Sequence, residues 1–151
     1  MTYWRMQLHP ADPQFAMRYA VESIAAGFIG LDFKRDVGDL AKTQPASLPA
    51  GEKDHLQFAR EMAIGDTVPI IVHHYPFAIV TVSGEYNYVK EPVPELGVWF
   101  RHFRRIDTKK TRYHADNVTD LRSWDQLKMT DTISSLIDKS SKSYNFIEKW
   151  K

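Results

Sequence analysis

Tyr86 and Tyr88 flank Asn87 just after Ser83-Gly84-Glu85, so a strand there sends both rings to one side. Two rings on one face near a glycine turn can sandwich a planar ligand, and stacking a base is worth on the order of 1–3 kcal/mol; the same rings also suit ordinary core or rim packing. Downstream, Arg101, Arg104, Arg105, Lys109, Lys110 and Arg112 are offset only by Asp107. In a strand, Arg101 and Arg105 share a face with Phe103, which places cations beside a ring as a phosphate-tracking surface would. An edge strand that must resist aggregation carries the same cations. Asp107-Thr108-Lys109 has the D-x-K form of a nuclease half-site, in which a carboxylate holds a metal and the lysine polarises the attacking water. Such a site needs a second carboxylate, for which Glu85, Glu91 and Glu95 are unplaced candidates, and a solvated strand end is the favoured reading of the triplet. His73 and His74 are adjacent, and on a regular strand neighbouring side chains point to opposite faces, so no shared metal ion is assigned to them.

These residues need elements to position them. Residues 3–8 alternate with a period of two, which predicts a strand with Trp4, Met6 and Leu8 inward, ended by Pro10. Asp12-Pro13 then predicts a helix start, and Met17, Ala20, Val21 and Ile24 follow at helical spacing up to Gly27. Residues 28–33 form a short buried strand in which Gly30 permits close backbone approach. Residues 36–53, with Gly38, Pro45, Pro49 and Gly51, carry loop chemistry, and residues 55–64 a second helix. The most strand-like stretch follows: residues 67–73, a turn at His74-Tyr75-Pro76, residues 77–88, a loop holding Pro92 and Pro94, and residues 98–106, which together predict an antiparallel meander. In the last part, 112–151, helical spacing appears in Leu121, Trp124 and Leu127, in Ile133, Leu136 and Ile137, and in Tyr144, Ile147 and Trp150. The expectation is one α+β domain over residues 1–151, built on a curved antiparallel sheet or small barrel with flanking helices.

Composition narrows the chemistry. The 151 residues are 43% hydrophobic and 26% charged, enough apolar side chain for a core. Twenty Lys and Arg against nineteen Asp and Glu leave a net charge of +1, so any basic surface must be local. The absence of cysteine removes disulfides, thiolate nucleophiles and Cys-ligated metal centres. No phosphate-binding glycine loop, G-x-S-x-G elbow or H-E-x-x-H is present. No apolar run approaches a membrane span or a secretory leader, and the expected location is cytoplasmic, with no membrane partner.

Several segments in order resemble EVE domains and the N-terminal modified-DNA-sensing modules of restriction endonucleases. Tyr3-Trp4-Arg5-Met6-Gln7-Leu8-His9-Pro10 is similar to the EVE opening strand, and Phe58-Ala59-Arg60-Glu61-Met62-Ala63-Ile64-Gly65-Asp66-Thr67-Val68 to the helix and Met-x-x-Gly-Asp turn that follow. Residues 78–88, with Gly84-Glu85-Tyr86-Asn87-Tyr88, followed by Arg101-His102-Phe103-Arg104-Arg105-Ile106, are similar to the G-x-Y-x-Y segment and Arg-rich strand of the restriction modules. The resemblance implies the PUA-like fold shared by EVE and YTH domains. It also implies binding without catalysis or cofactor, of a modified base flipped from DNA (rather than RNA) into an aromatic-lined pocket, within a modification-dependent restriction or phage-defence system. By this resemblance Phe28, Ile29 and Gly30 wall the pocket and Tyr86 and Tyr88 stack on the base. Asp32 and Asn87 are candidates for polar contacts to the base edge, and Arg101, Arg104, Arg105 and Lys109 for the nucleic-acid backbone. A nuclease or motor domain is expected as partner, in the same chain or a separate subunit. The competing expectations are a small metal-dependent nuclease using Asp107 and Lys109, and a protein-interaction domain.

Overall fold

The computed structural model describes residues 1–8, 15–114 and 126–150. Two sheets share the core. The first has five strands in the order β7-β4-β3-β1-β8, made of β1 (Trp4–Met6), β3 (Thr67–Val72), β4 (Tyr75–Thr81), β7 (Arg112–Tyr113) and β8 (Ile133–Ser135). The second has three, in the order β2-β6-β5, made of β2 (Phe28–Leu31), β5 (Asn87–Tyr88) and β6 (His102–Arg105). Helices α1 (Ala16–Ala26), α2 (Leu56–Arg60) and α3 (Lys142–Trp150) complete an α+β architecture.

Three expectations are corrected. The central strands do not form one antiparallel meander or a closed barrel: β1 runs parallel to β3, with Met6 opposite Ile70, and the chain leaves the first sheet after β4 to build the second. The sheets are stitched at one corner, where Val82 bridges Ile106, the Asp107 N–H donates to Thr81 O and the Ile106 N–H donates to Gly27 O. The part 112–151 is not all helical, because β7 and β8 are strands. Ile133 and Ile137 would share a helix face, yet Ile133 is fully buried opposite Met6 and Ile137 is 82% exposed. Pairing satisfies the outer edge of β1, which tips a short apolar run from helix to strand. The turn between β3 and β4 lies at His73-His74, both at positive φ (51° and 68°), the two-residue hairpin geometry that histidine tolerates better than branched residues. The His74 carbonyl accepts the Leu127 N–H and its Nδ1 the Met129 N–H, so this histidine ties residues 127–129 to the hairpin.

The opening strand buries Trp4, Met6 and Leu8 as its period predicts. Asp66 fastens it: its carboxylate accepts the Thr2 N–H, the Trp4 Nε1–H and the Ala63 N–H. Helix α1 buries Ala20, Ser23 and Ile24, whereas Met17 and Val21 are nearly half exposed, so the inward stripe is rotated from the expected one. The expected start of this helix at Asp12-Pro13, like Pro10 before it and Leu121 and Trp124 later, lies outside the described residues. Gly27 ends α1 at φ 93°, a left-handed cap that returns its N–H to Ile24 O. Helix α2 is shorter than the predicted 55–64 and is entered through the 3-10 turn Ala50–His55. No helix among the described residues is long and apolar enough to cross a membrane.

Candidate functional site

The strands of the three-stranded sheet carry Phe28, Ile29, Gly30, Asn87, Tyr88, Arg104 and Arg105, with Asp32, Tyr86 and Arg101 directly beside them, and its register sorts the strand residues onto two faces. Phe28 lies opposite Arg105, Gly30 opposite Phe103, and Asn87 opposite Phe103. Ile29 lies opposite Arg104, Leu31 opposite His102, and Tyr88 opposite His102. Because side chains alternate along a strand, the expected single pocket is divided. Phe28, Gly30 and Asn87 belong to the face carrying Phe103 and the exposed Arg105, whereas Ile29 and the two tyrosines belong to the face carrying His102.

The tyrosine face holds a polar aromatic nest centred on His102, which is fully buried. The Tyr86 ring lies nearly parallel to the imidazole at 6.0 Å, Tyr88 is tilted across it at 5.4 Å, and Phe33 meets it edge-on at 5.5 Å. Phe33 in turn packs on His55, and Tyr86 on the edge of Phe58. The Tyr86 hydroxyl lies 2.7 Å from His102 Nδ1 and accepts the Leu40 N–H at 2.9 Å. The Tyr88 hydroxyl donates to the Asp36 carboxylate, at 2.6 and 2.7 Å from its two oxygens. Residues 33–40 therefore form the second wall, and they enter it through side chains and one backbone N–H that carry no strand or helix periodicity.

Burial sets the protonation states. It depresses the His102 imidazole to about 4, so the ring is neutral at pH 7. It lifts the Tyr86 phenol, which stays protonated. Hydrogen bonding from Tyr88 holds Asp36 below its ordinary value, and the same bond raises Tyr88. Asp32 is buried beside the nest, and burial lifts its carboxyl even though it accepts the Phe33 N–H, the Arg101 N–H and Arg101 Nη1 at 3.0 Å. Asp32 is thus a clamp for Arg101 at the edge of the site. His102 Nε2 is buried and has no hydrogen-bond partner among the described residues, a condition that ordinarily costs about 1–3 kcal/mol.

The other candidates fall into place around this nest. Ile29 is a fully buried core residue. Gly30 approaches the chain itself: a Cβ there would stand 2.4 Å from both His102 O and the Phe100 ring. Phe28 is nearly buried, with the Phe103 ring edge-on at 5.6 Å and the Arg105 guanidinium 5.3 Å from its centroid. Asn87 is exposed and donates to Glu85 O. Phe28, Gly30 and Asn87 therefore lie on the other face of the sheet from the His102 nest, and Ile29 lies in the core on the same face.

Arg104 is removed from the basic stripe. It is 2% exposed, and its guanidinium donates to Phe58 O (2.8 Å), Met62 O (2.8 Å), Gly84 O (3.1 Å) and Ala59 O (3.4 Å) while lying over the Phe58 ring. Three of these carbonyls belong to α2 or its C-terminal exit, where helix carbonyls lack partners and a cation is favoured. Arg105, Lys109, Lys110 and Arg112 remain exposed, and Arg101 is partly so. The Asp107 carboxylate accepts the Lys109 N–H at 3.0 Å, closing its own turn, and among the described residues no three His, Asp or Glu side chains gather where a metal ion could sit.

His102, Phe33 and Asp36 were not singled out by sequence. His102 carries a recoverable signal, since it shares the inward parity of Arg104 on a strand beside Tyr86 and Tyr88. Phe33 and Asp36 carry none. Comparison with protein-family models and with curated proteins gives no match.

Proposed function

We propose that the protein is a non-catalytic, PUA-like module of the EVE type that binds DNA and reads a modified base in the His102 nest, working with a nuclease or motor partner in restriction or defence. The observation that supports it most is the nest: three aromatic side chains, Tyr86, Tyr88 and Phe33, around a neutral imidazole with one nitrogen unpartnered.

A base enters in this reading where Tyr88 now rests. Among the described residues the Tyr88 hydroxyl is held by the exposed Asp36 alone, so its ring can swing aside and return as a stacking wall. Stacking on the order of 1–3 kcal/mol per ring offsets the few kcal/mol of unpairing that extrusion requires. Asp36, freed from the phenol, becomes an acceptor for an amino group on the base edge. Arg101 stands beside the opening on its Asp32 clamp. Arg105, on the other face of β6, and the exposed Lys109 meet phosphates farther along the DNA.

Duplexes carrying 2-aminopurine next to a single modified base report extrusion directly. Binding is expected to brighten the 2-aminopurine, and Tyr88→Ala to abolish the signal while the fold is retained. Tight binding with unchanged fluorescence would contradict base extrusion.

A further inference from the structure

An open cavity of about 440 Å³ lies between β8 and the first turn of α3, with Arg5, Lys128, Ser135, Leu136, Lys142 and Ser143 in its walls. Its size is that of a small-molecule site. The backbone at the start of α3 limits what it can hold. Ser141 caps the helix: its Oγ accepts the Tyr144 N–H, its carbonyl accepts the Asn145 N–H, and its own N–H donates to Asp138 O. The N–H groups of Lys142 and Ser143 are then the two of the first turn without a partner among the described residues, and such groups favour an anion. Ser143 adds a side chain to them. It is 5% exposed and lines the cavity, and its hydroxyl has no hydrogen-bond partner among the described residues, although buried hydroxyls ordinarily have one. Charge points the same way. Both carboxylates of the cavity wall are committed, Asp131 to Arg5 Nη2 at 3.2 Å and Asp138 to the N–H and hydroxyl of Ser140. Lys128 and Lys142 have no carboxylate partner among the described residues, and Lys142 gives only one of its ammonium protons, to Gln126 O at 2.7 Å.

We infer that this cavity binds a phosphate monoester of small-molecule size, its phosphoryl oxygens on the Lys142 and Ser143 N–H groups and the Ser143 hydroxyl, flanked by the Lys128 and Lys142 ammonium groups. A phosphomonoester presents three terminal oxygens to these three donors, whereas a carboxylate presents two. The organic part of the ligand lies against the apolar part of the wall, Leu136 and Ile137, of which Ile137 is 82% exposed. None of these residues belongs to the His102 nest, so the site stands whether or not the protein reads bases.

The test follows the backbone amide NMR signals of the full chain during titration with inorganic phosphate, phenyl phosphate and phenol at constant ionic strength, with sodium chloride as the control. Inorganic phosphate is expected to move the Lys142 and Ser143 signals saturably, and chloride and phenol to leave them in place. Phenyl phosphate should bind roughly fivefold more tightly than inorganic phosphate, with the gain lost in Ile137→Ser. Ser143→Ala, which removes one hydrogen bond to a charged group, should weaken both phosphates about tenfold, and Lys142→Ala, on the exposed side of the helix, serves if that variant does not fold. No saturation, equal shifts with chloride, or unchanged affinity in a folded variant overturns the site. Saturable phosphate binding with no gain from the phenyl group overturns the monoester assignment.

Discussion

Arginines 104 and 105 are chemically identical neighbours with opposite fates, and strand parity alone separates them. Arg104 is inward and holds four carbonyls, so replacing it by Met orphans the exit of α2 and is expected to destabilise the fold by about 2–4 kcal/mol in urea denaturation. Arg105 is exposed, and Arg105→Ala should leave stability within about 0.5 kcal/mol while weakening DNA binding. His102 makes a prediction of its own. Its folded value of about 4 lies below the ordinary 6.5, so the unfolded chain takes up a proton first. The stability it contributes is complete above pH 6.5 and declines as pH falls toward 4, by no more than about 3 kcal/mol. His114, also depressed by burial, acts in the same direction, so the difference between the native protein and His102→Gln isolates the effect. A pH dependence equal in the two would contradict the burial of a neutral imidazole.

At the scale of elements, much was legible. Period-two alternation placed β1 and its inward residues, and β-branched runs with turn residues placed β3 and β4. Gly27 ends α1 as expected, and Gly30 marks a close approach, to the Phe100 ring and the His102 carbonyl. Gly30→Ala tests this: a Cβ 2.4 Å from a backbone oxygen has nowhere to go, and the variant should lose at least about 2 kcal/mol or fail to fold. Wild-type stability would mean that β2 and β6 are not packed at this distance. What sequence did not reveal was pairing across distance. The parallel contact of β1 with β3, the recruitment of Ile133–Ser135 to the β1 edge and the division of the pocket across two faces depend on which strands meet. Local periodicity carries no information about that. The turn at His73-His74 was misplaced for a different reason, since histidine is an uncommon but tolerated residue at positive φ.

For the molecule as a whole, a net charge of +1 conceals an uneven surface. Arg105, Lys109, Lys110 and Arg112 are exposed within one stretch of chain that follows the partly exposed Arg101. Affinity for DNA should therefore fall with rising salt, and Arg105→Ala should lower the slope of log K against log salt by about 1 while weakening all sequences alike. Variants in the nest should do the reverse, keeping the slope and losing the preference between bases. This separation of phosphate contacts from base contacts distinguishes a reader from a generic basic surface. The most direct measurement is the affinity of the native protein for a panel of duplexes that differ only in one modified base. The account predicts at least a tenfold preference for one modified duplex over its unmodified counterpart, lost in Tyr86→Ala or Tyr88→Ala. Equal affinity across the panel would contradict it.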